Sequence, residues 1–451
     1  MTGHKELSGW GRTAPSGAEV FTPLTPAELA GTVDGAGPRG TLARGLGRSY
    51  GDAAQNAGGR VVDTTMVDDV AAFDADTGRL RVASGASLDQ LMRALVPRGW
   101  FVPVTPGTRY VTVGGAVASD IHGKNHHRAG SWCRHLDQVT LATPGLGTVT
   151  VGPDRDADLF WATAGGMGLT GTVVDATVRM VPIETSRTLV DTDRTDDLDA
   201  TMAVLSAGDD DYEYTVAWVD LLPLQGRRGR SVITRGRFAR VDELPSGARR
   251  DPLAFDPQPL VGVPPLVPSR LLNRWRIQAF NEAWYRKAPR HRRDEVQSIG
   301  RFFHPLDGVT DWNRLYGPTG FVQWQCVVPF GGEDALREVT DALERHRVPT
   351  LIGVLKRFGP ANPGPLSFPL AGWTLSVDVP ASVDGLAAVL DGLDEVVAAA
   401  GGRIYLAKDS RMRPEVLAAT YPRLDEWRSV RDRADPHGVI QSDLGRRLGL
   451  C

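Results

Sequence analysis

The chain is poor in cysteine, with only Cys133, Cys326 and Cys451 in 451 residues. Three thiols, odd in number and far apart, make no disulfide framework. Long apolar runs are also missing: none reaches the roughly 18 residues of a membrane-crossing helix, and the opening "MTGHKELSGWGRT" lacks the apolar core of a secretory leader. A cytoplasmic location is therefore expected. Charge of one sign is missing too, since 51 Lys and Arg stand against 54 Asp and Glu for a net charge of -3. That balance argues against a general nucleic-acid binder. No G-x-x-x-x-G-K-[ST] occurs, which removes the P-loop, and no C-x-x-C or H-E-x-x-H offers a metal site. His122, His126, His127, Cys133 and His135 lie close in sequence, but without ligand spacing or a completing carboxylate, so no metal is expected.

Glycine is plentiful, with 51 residues, and it gathers in three loops. "GTLARGLGRSYGD" reads as a short strand running into a loop, with Gly45, Gly47 and Gly51 spaced G-x-G-x-x-x-G. The following "AAQNAGGRVVD" has no helix start, so a Rossmann βαβ unit is not indicated. What remains is a nest of glycine N–H groups able to receive a diphosphate. A second stretch begins with a strand near Leu80 to Ala83. Ser87 and Gln90 then form a capping box for a helix ending near Val96, and "TPGT", "TVGGAVASD" and "IHGKNHH" follow. The third, "DLFWATAGGMGLTGTVVDATVRMVP", combines a helical turn, four glycines and a strand of period-2 alternation. Three such loops, each beside a strand, suit one extended diphosphate cofactor. The length suggests two domains.

The order of these loops resembles the flavoproteins of the vanillyl-alcohol oxidase / p-cresol methylhydroxylase superfamily. Further stretches, "WYRK", "FFHPLD", "NRLYGPTGF", "FGPANPGPLSFPLAGW", "GGRIYLAKDSR" and "YPRLDEW", are similar to one family within it, the decaprenylphosphoryl-ribose 2-oxidases. The resemblance implies an α+β fold: an FAD-binding domain over residues 1–184, an antiparallel-sheet substrate domain over 185–400, and a C-terminal segment, 401–451, that returns to the FAD-binding domain. It implies FAD held by Arg44, Gly45, Gly47, Arg48, Ser49, Tyr50 and Gly51, by Gly107, Thr112, Gly114, Gly115, Ser119, Ile121, His122 and Lys124, and by Tyr405. Many superfamily members bond the flavin to a histidine in the first loop. Arg48 stands in that place here and cannot form the bond, so noncovalent FAD is expected.

By the same resemblance Lys408, His122 and Tyr50 are the catalytic residues. It also implies that Lys124, Trp218, Tyr316, Gln323, Gln325, Lys356, Phe358, Ser376 and Lys408 bind substrate. Lys408 follows a strand expected over Arg403 to Ala407, and a lysine there could accept or orient a hydroxyl proton. Mycobacterial members carry a cysteine where this chain has Ser376, which puts in doubt inhibition by agents that bond that thiol. The implied reaction is oxidation of the ribose C2 hydroxyl of decaprenylphosphoryl-β-D-ribose, with a separate short-chain NADH-dependent reductase completing epimerisation to the arabinose donor of cell-wall arabinan. Alternatives are a soluble alditol or aldonolactone oxidase, or a flavin- or lipid-binding component without turnover. Between Arg227 and Arg250 eight arginines face only Asp242 and Glu243, and a Pro-rich apolar run follows. This composition is read as mobile loops that cover the pocket and touch a membrane peripherally; prolines speak against one long amphipathic helix there.

Overall fold

The computed structural model describes residues 2–34, 36–223, 229–264, 267–268 and 272–451. Its backbone is a mixed α+β architecture built on three main sheets. The first is four-stranded, in the order Thr2–Leu7, Ser16–Phe21, Arg60–Asp63, Thr41–Arg44. Arg60–Asp63 runs parallel to both of its neighbours. Parallel strands need a long connection, and here that connection is the first glycine loop rather than a helix. The second sheet is antiparallel and five-stranded, with Arg79–Ala83 and Thr172–Arg179 paired at its centre. Leu88–Leu95 follows as a helix, its Ser87–Gln90 capping box formed at both ends.

The third sheet has eight strands, and every pairing in it is antiparallel. Its central strands alternate over most of their length, Val327 being an apolar exception. In Phe321–Pro329 and Gly372–Pro380, the residues Trp324, Cys326, Val328, Leu375, Val377 and Val379 share one apolar cluster with Leu336, Val339 and Leu343 of the helix Glu333–Arg345. Leu390, Leu393 and Val397 of Leu386–Ala399 join the same cluster. Because successive side chains point to opposite faces, the intervening residues Gln323, Gln325, Thr374, Ser376 and Asp378 all face the other way. Apolar burial on one face therefore fixes the register that gathers polar groups on the other.

Two expectations need correction. The strand expected over Arg403 to Ala407 stops at Ile404, and Leu406–Lys408 form a single 3-10 turn. Tyr405 N–H still bonds Gln325 O, but Ala407 O turns away to accept Tyr50 N–H at 2.9 Å. The arginine-rich segment is also not a set of open basic loops. Residues 224–228, 265–266 and 269–271 of the expected loops lie outside the described residues, yet Arg230–Phe238 is an interior strand. Arg230 pairs with Asp220 and Glu282, each at 2.7 Å; Arg235 pairs with Asp193 at 2.7 Å and Arg237 with Glu243 at 2.6 Å. After the Pro-rich run, Arg274–Lys287 forms a 14-residue helix capped by Asn273, which composition upstream had not suggested.

Candidate active site

The first glycine loop leaves the strand Thr41–Arg44 and crosses to the C-terminal segment. The N–H groups of Leu46, Gly47, Arg48 and Ser49 donate to no acceptor among the described residues. Arg44 braces the loop from beneath, donating to Ala54 O and Ser8 O at 2.8 Å each. A Cβ on Gly45 would sit 2.2 Å from Thr112 Oγ1, so the first and second loops pack backbone to side chain. A Cβ on Gly51 would sit 1.9 Å from Asp409 O, which brings the first loop against the turn that carries Lys408. Thr112 caps the short helix Val113–Ala118, accepting from Gly115 N–H at 3.2 Å. Unpaired amides beside close-packed glycines fit the diphosphate of FAD.

Arg48 stands with its guanidinium 3.8 Å from the Trp10 ring centroid and 5.4 Å from that of Tyr110. Stacking of this kind holds a desolvated cation beside apolar surface. Tyr50 lies edge-on to Phe321 at 5.6 Å, and Phe321 stacks on Tyr316 at 4.2 Å. Tyr405, through its hydroxyl, donates to Ser119 O at 2.9 Å and so ties the C-terminal segment to the second loop.

His122 is fully enclosed by Phe358, Phe368 and Tyr405, with ring centroids 4.8, 5.6 and 5.0 Å away. Burial first, then the charges of Lys356 and Lys408, push its pKa well down, so the ring is neutral. Gln325 Nε2 donates to His122 Nε2 at 3.0 Å. The ring proton therefore sits on Nδ1, which has no partner among the described residues and is a donor open to a ligand. The other histidines of this segment bond elsewhere: His126 Nδ1 accepts from Gly359 N–H, His127 Nε2 donates to Tyr212 O, and His135 Nε2 donates to Ala129 O. Among the described residues no three metal-ligating side chains gather.

Lysines set the charge of the site. Lys124 is half-buried, its ammonium donating to Phe302 O and lying 4.4 Å from the Phe302 ring. Desolvation lowers it to about 7, with Lys356 adding repulsion, and Lys356 itself is lowered to about 8 by burial. Lys408 donates to Ser376 Oγ at 3.2 Å and stands 5.4 Å from the Tyr50 ring. Burial and Lys356 depress it, while Asp378 acts in the opposite sense. Burial raises Asp378, offset by Gln323, whose Nε2 donates to it, and by Lys408. Among the described residues Gln323 Oε1 and Gln325 Oε1 are buried and unpartnered, and the Tyr316 hydroxyl faces the Asp378 carboxylate, an array able to receive several hydroxyl groups.

Strand register explains which expected residues meet. Gln325, Ser376, Val354 and Trp218 stand directly opposite one another across four strands, with Gln323 opposite Asp378 and Lys356 opposite Thr374. Trp218 is three strand spacings, about 14 Å, from Gln325, at the far end of the polar face. Two residues were missed by the sequence reading. Asp378 continues the Thr374–Ser376 alternation, a signal that was present. Asp120, at φ 39, accepts from Ser131 Oγ, Ser367 Oγ and Cys133 N–H at 2.8, 2.6 and 2.9 Å and from Asn362 Nδ2 at 2.5 Å. It fastens the segment before His122 to the loop after Phe358; only three-dimensional proximity reveals it.

Residues 18–152 match the FAD-binding domain family, and residues 327–448 match the D-arabinono-1,4-lactone oxidase family. The chain is 45% identical over 451 residues to a decaprenylphosphoryl-β-D-ribose oxidase of Mycolicibacterium smegmatis, covering 99% of this chain and 98% of that protein. It is 24% identical over 458 residues to an L-gulono-1,4-lactone dehydrogenase of Mycobacterium tuberculosis, covering 98% of each. Its cofactor is FAD, and it is an FAD-dependent oxidoreductase. The glycine loops, the enclosed histidine and the full-length similarity together make the chain a member of the decaprenylphosphoryl-β-D-ribose oxidase family of flavoproteins.

Proposed function

We propose that the protein oxidises the ribose C2 hydroxyl of a polyprenylphosphoryl-β-D-ribose of the decaprenyl class to the 2-keto sugar. The observation that carries this reading is the mutual repulsion of Lys356, on the polar sheet face, with Lys124 and with Lys408, beside the unpartnered acceptors Gln323 Oε1 and Gln325 Oε1. The ammonium groups of Lys124 and Lys356 repel one another and call for an anion, while Asp378, Gln323 and Gln325 suit a polyhydroxylated ring. Lys356 and Lys124 hold the phosphodiester. Lys408 takes the C2 hydroxyl proton: its lowered pKa makes the neutral amine accessible near neutral pH, and Asp378 stabilises the ammonium that results.

The two loops Gly45–Gly51 and Gly107–Lys124, with Tyr405, hold FAD without a covalent bond, because Arg48 offers no nucleophile. Bound FAD supplies the two-electron acceptor for the hydride that leaves C2. Tyr50, Phe321 and Tyr316 form an apolar wall that excludes water from the reacting carbon. The ketone then leaves for a separate nicotinamide-dependent reductase, and the lipid tail makes the enzyme peripheral to a membrane.

A second reading, oxidation of a soluble aldonolactone, is favoured by the match of residues 327–448 to the D-arabinono-1,4-lactone oxidase family. The two readings part on product. Incubation with polyprenylphosphoryl ribose followed by borodeuteride reduction should place deuterium at C2 of both ribose and arabinose epimers. Unlabelled sugar, together with turnover of an aldonolactone, selects the second reading.

A further inference from the structure

Among the described residues no element covers the exposed side of the helix Arg274–Lys287. Trp275, Phe280 and Trp284 are 75%, 49% and 45% exposed, and Phe280 stacks on Trp284 with centroids 6.2 Å apart. Large aromatics so open to water are costly unless something covers them. The opposite side is anchored. Ile277, Gln278 and Asn281 are buried, Asn281 Nδ2 donates to Asp220 Oδ1 at 2.9 Å and to Thr350 O at 3.4 Å, and Glu282 pairs with Arg230 at 2.7 Å. The helix is therefore held at a fixed orientation, with the Phe280–Trp284 pair on one flank of its buried face and Trp275, half a rotation from Trp284, on the other.

Its charge differs from that of the whole chain. Between residues 272 and 290 there are Arg274, Arg276, Arg286, Lys287 and Arg290 against Glu282 alone, in a chain of net charge -3. Glu282 is already engaged by Arg230 and Arg286. A basic helix carrying exposed tryptophans, 14 residues and hence about 21 Å long, has the composition of an interfacial helix that lies in a membrane plane. It is too short and too polar to cross one.

The location of this surface gives it a use. Leu272, at the start of the helix, packs on the apolar cluster of Trp312, Tyr316 and Phe321, the same cluster that Tyr50 joins. A second exposed apolar point borders that cluster: Leu260 is 89% and Val261 58% exposed, at the start of the short strand Val261–Gly262 that pairs in parallel with Val309–Thr310, and Val309 also packs on the cluster. Two outward apolar elements thus flank the wall of the reaction site.

We propose that the Arg274–Lys287 helix, together with Leu260 and Val261 on the other approach to the Trp312–Tyr316–Phe321 cluster, is a docking surface for an anionic lipid bilayer. This rests on the lipid-linked substrate proposed above and identifies where the protein meets the lipid. Docking by the aromatics would bring a prenyl-anchored sugar phosphate to the site without removing its tail from the bilayer.

The test uses the FAD-loaded protein, sedimented with vesicles of phosphatidylcholine alone or mixed with phosphatidylglycerol. The parent should pellet with the mixed vesicles and be released by salt. A Trp275→Ser/Phe280→Ser/Trp284→Ser variant should remain in solution. A Lys287→Glu/Arg290→Glu variant should lose about thirtyfold or more in vesicle partition. Both variants should oxidise a short-prenyl, water-soluble phosphoryl ribose as the parent does, while losing at least tenfold on vesicle-borne long-chain substrate. Equal pelleting of parent and variants, or a parent that never pellets, overturns the proposal. So does a parent dimer, by light scattering, that the aromatic variant dissociates without change in vesicle binding. Selective pelleting without oxidation of the soluble substrate would support the surface and remove the functional reading alone.

Discussion

Replacing Lys408 by methionine keeps the length of the side chain and removes the group that takes the hydroxyl proton. Lys408→Met should retain FAD and lose about 10²- to 10⁴-fold in kcat, measured by anaerobic single-turnover reduction. Asp378→Asn should cost about 10²-fold in kcat with a smaller change in KM, since Asp378 acts on the charge formed at Lys408. The phosphate-holding lysines predict the opposite split. Burial lowers Lys124 to about 7 and Lys356 to about 8, so both are charged below this window and neutral above it. A phosphodiester keeps its single negative charge throughout, and KM should therefore rise as pH increases beyond about 7 to 8. kcat should rise over the same range as Lys408 loses its proton. A KM independent of pH between 6 and 9 would show that these ammonium groups do not hold the anion. At this scale the sequence revealed Lys408 and Lys356 only through their surroundings. By itself a lysine after a short strand looks solvated. Burial, which no local pattern reports, is what makes it chemical.

Loop and strand geometry governs the next scale. Gly45→Ala would drive a Cβ to 2.2 Å from Thr112 Oγ1, and Gly51→Ala would drive one to 1.9 Å from the backbone oxygen of Asp409. Thr112 can yield by rotating, while a backbone oxygen cannot. Gly51→Ala should therefore be the more damaging, by about 1–3 kcal/mol, with faster FAD release on dilution and a lower Tm. On the sheet, Leu393→Ala opens a cavity beneath the strands whose other face carries Gln323, Gln325 and Asp378. It should cost about 2–5 kcal/mol in denaturant unfolding. Much of this scale was legible. The Ser87–Gln90 capping box and the strands Thr41–Arg44 and Thr172–Arg179 follow from spacing alone. The turn Leu406–Lys408 was not legible, because it forms to let Ala407 O receive Tyr50 N–H from a segment more than 350 positions away. Nor were the ion pairs of Arg230, Arg235 and Arg237, whose carboxylates lie on neighbouring strands, beyond a turn or, for Glu282, on the helix Arg274–Lys287.

At the scale of the whole molecule, residues from both ends of the chain meet at one place: the loop Gly45–Gly51 abuts Asp409, and the Ser119–Ile121 segment is tied to Tyr405 and Asn362. Between these contacts the eight-stranded sheet contributes its polar face. Flavin, lysines and hydroxyl acceptors thus come from distant parts of the sequence, which is why resemblance over the full length told more than any one motif. Arg48, stacked on Trp10, predicts that acid precipitation leaves the flavin in the supernatant; yellow colour retained in the pellet would reveal a covalent link. The central claim is oxidation at C2 of a polyprenylphosphoryl ribose, and an anaerobic titration followed by visible absorbance tests it most directly. The account predicts that the flavin band bleaches stoichiometrically with the ribose lipid and stays unchanged with its 2-deoxy analogue. Bleaching by the 2-deoxy compound, or none with the ribose lipid, would contradict it.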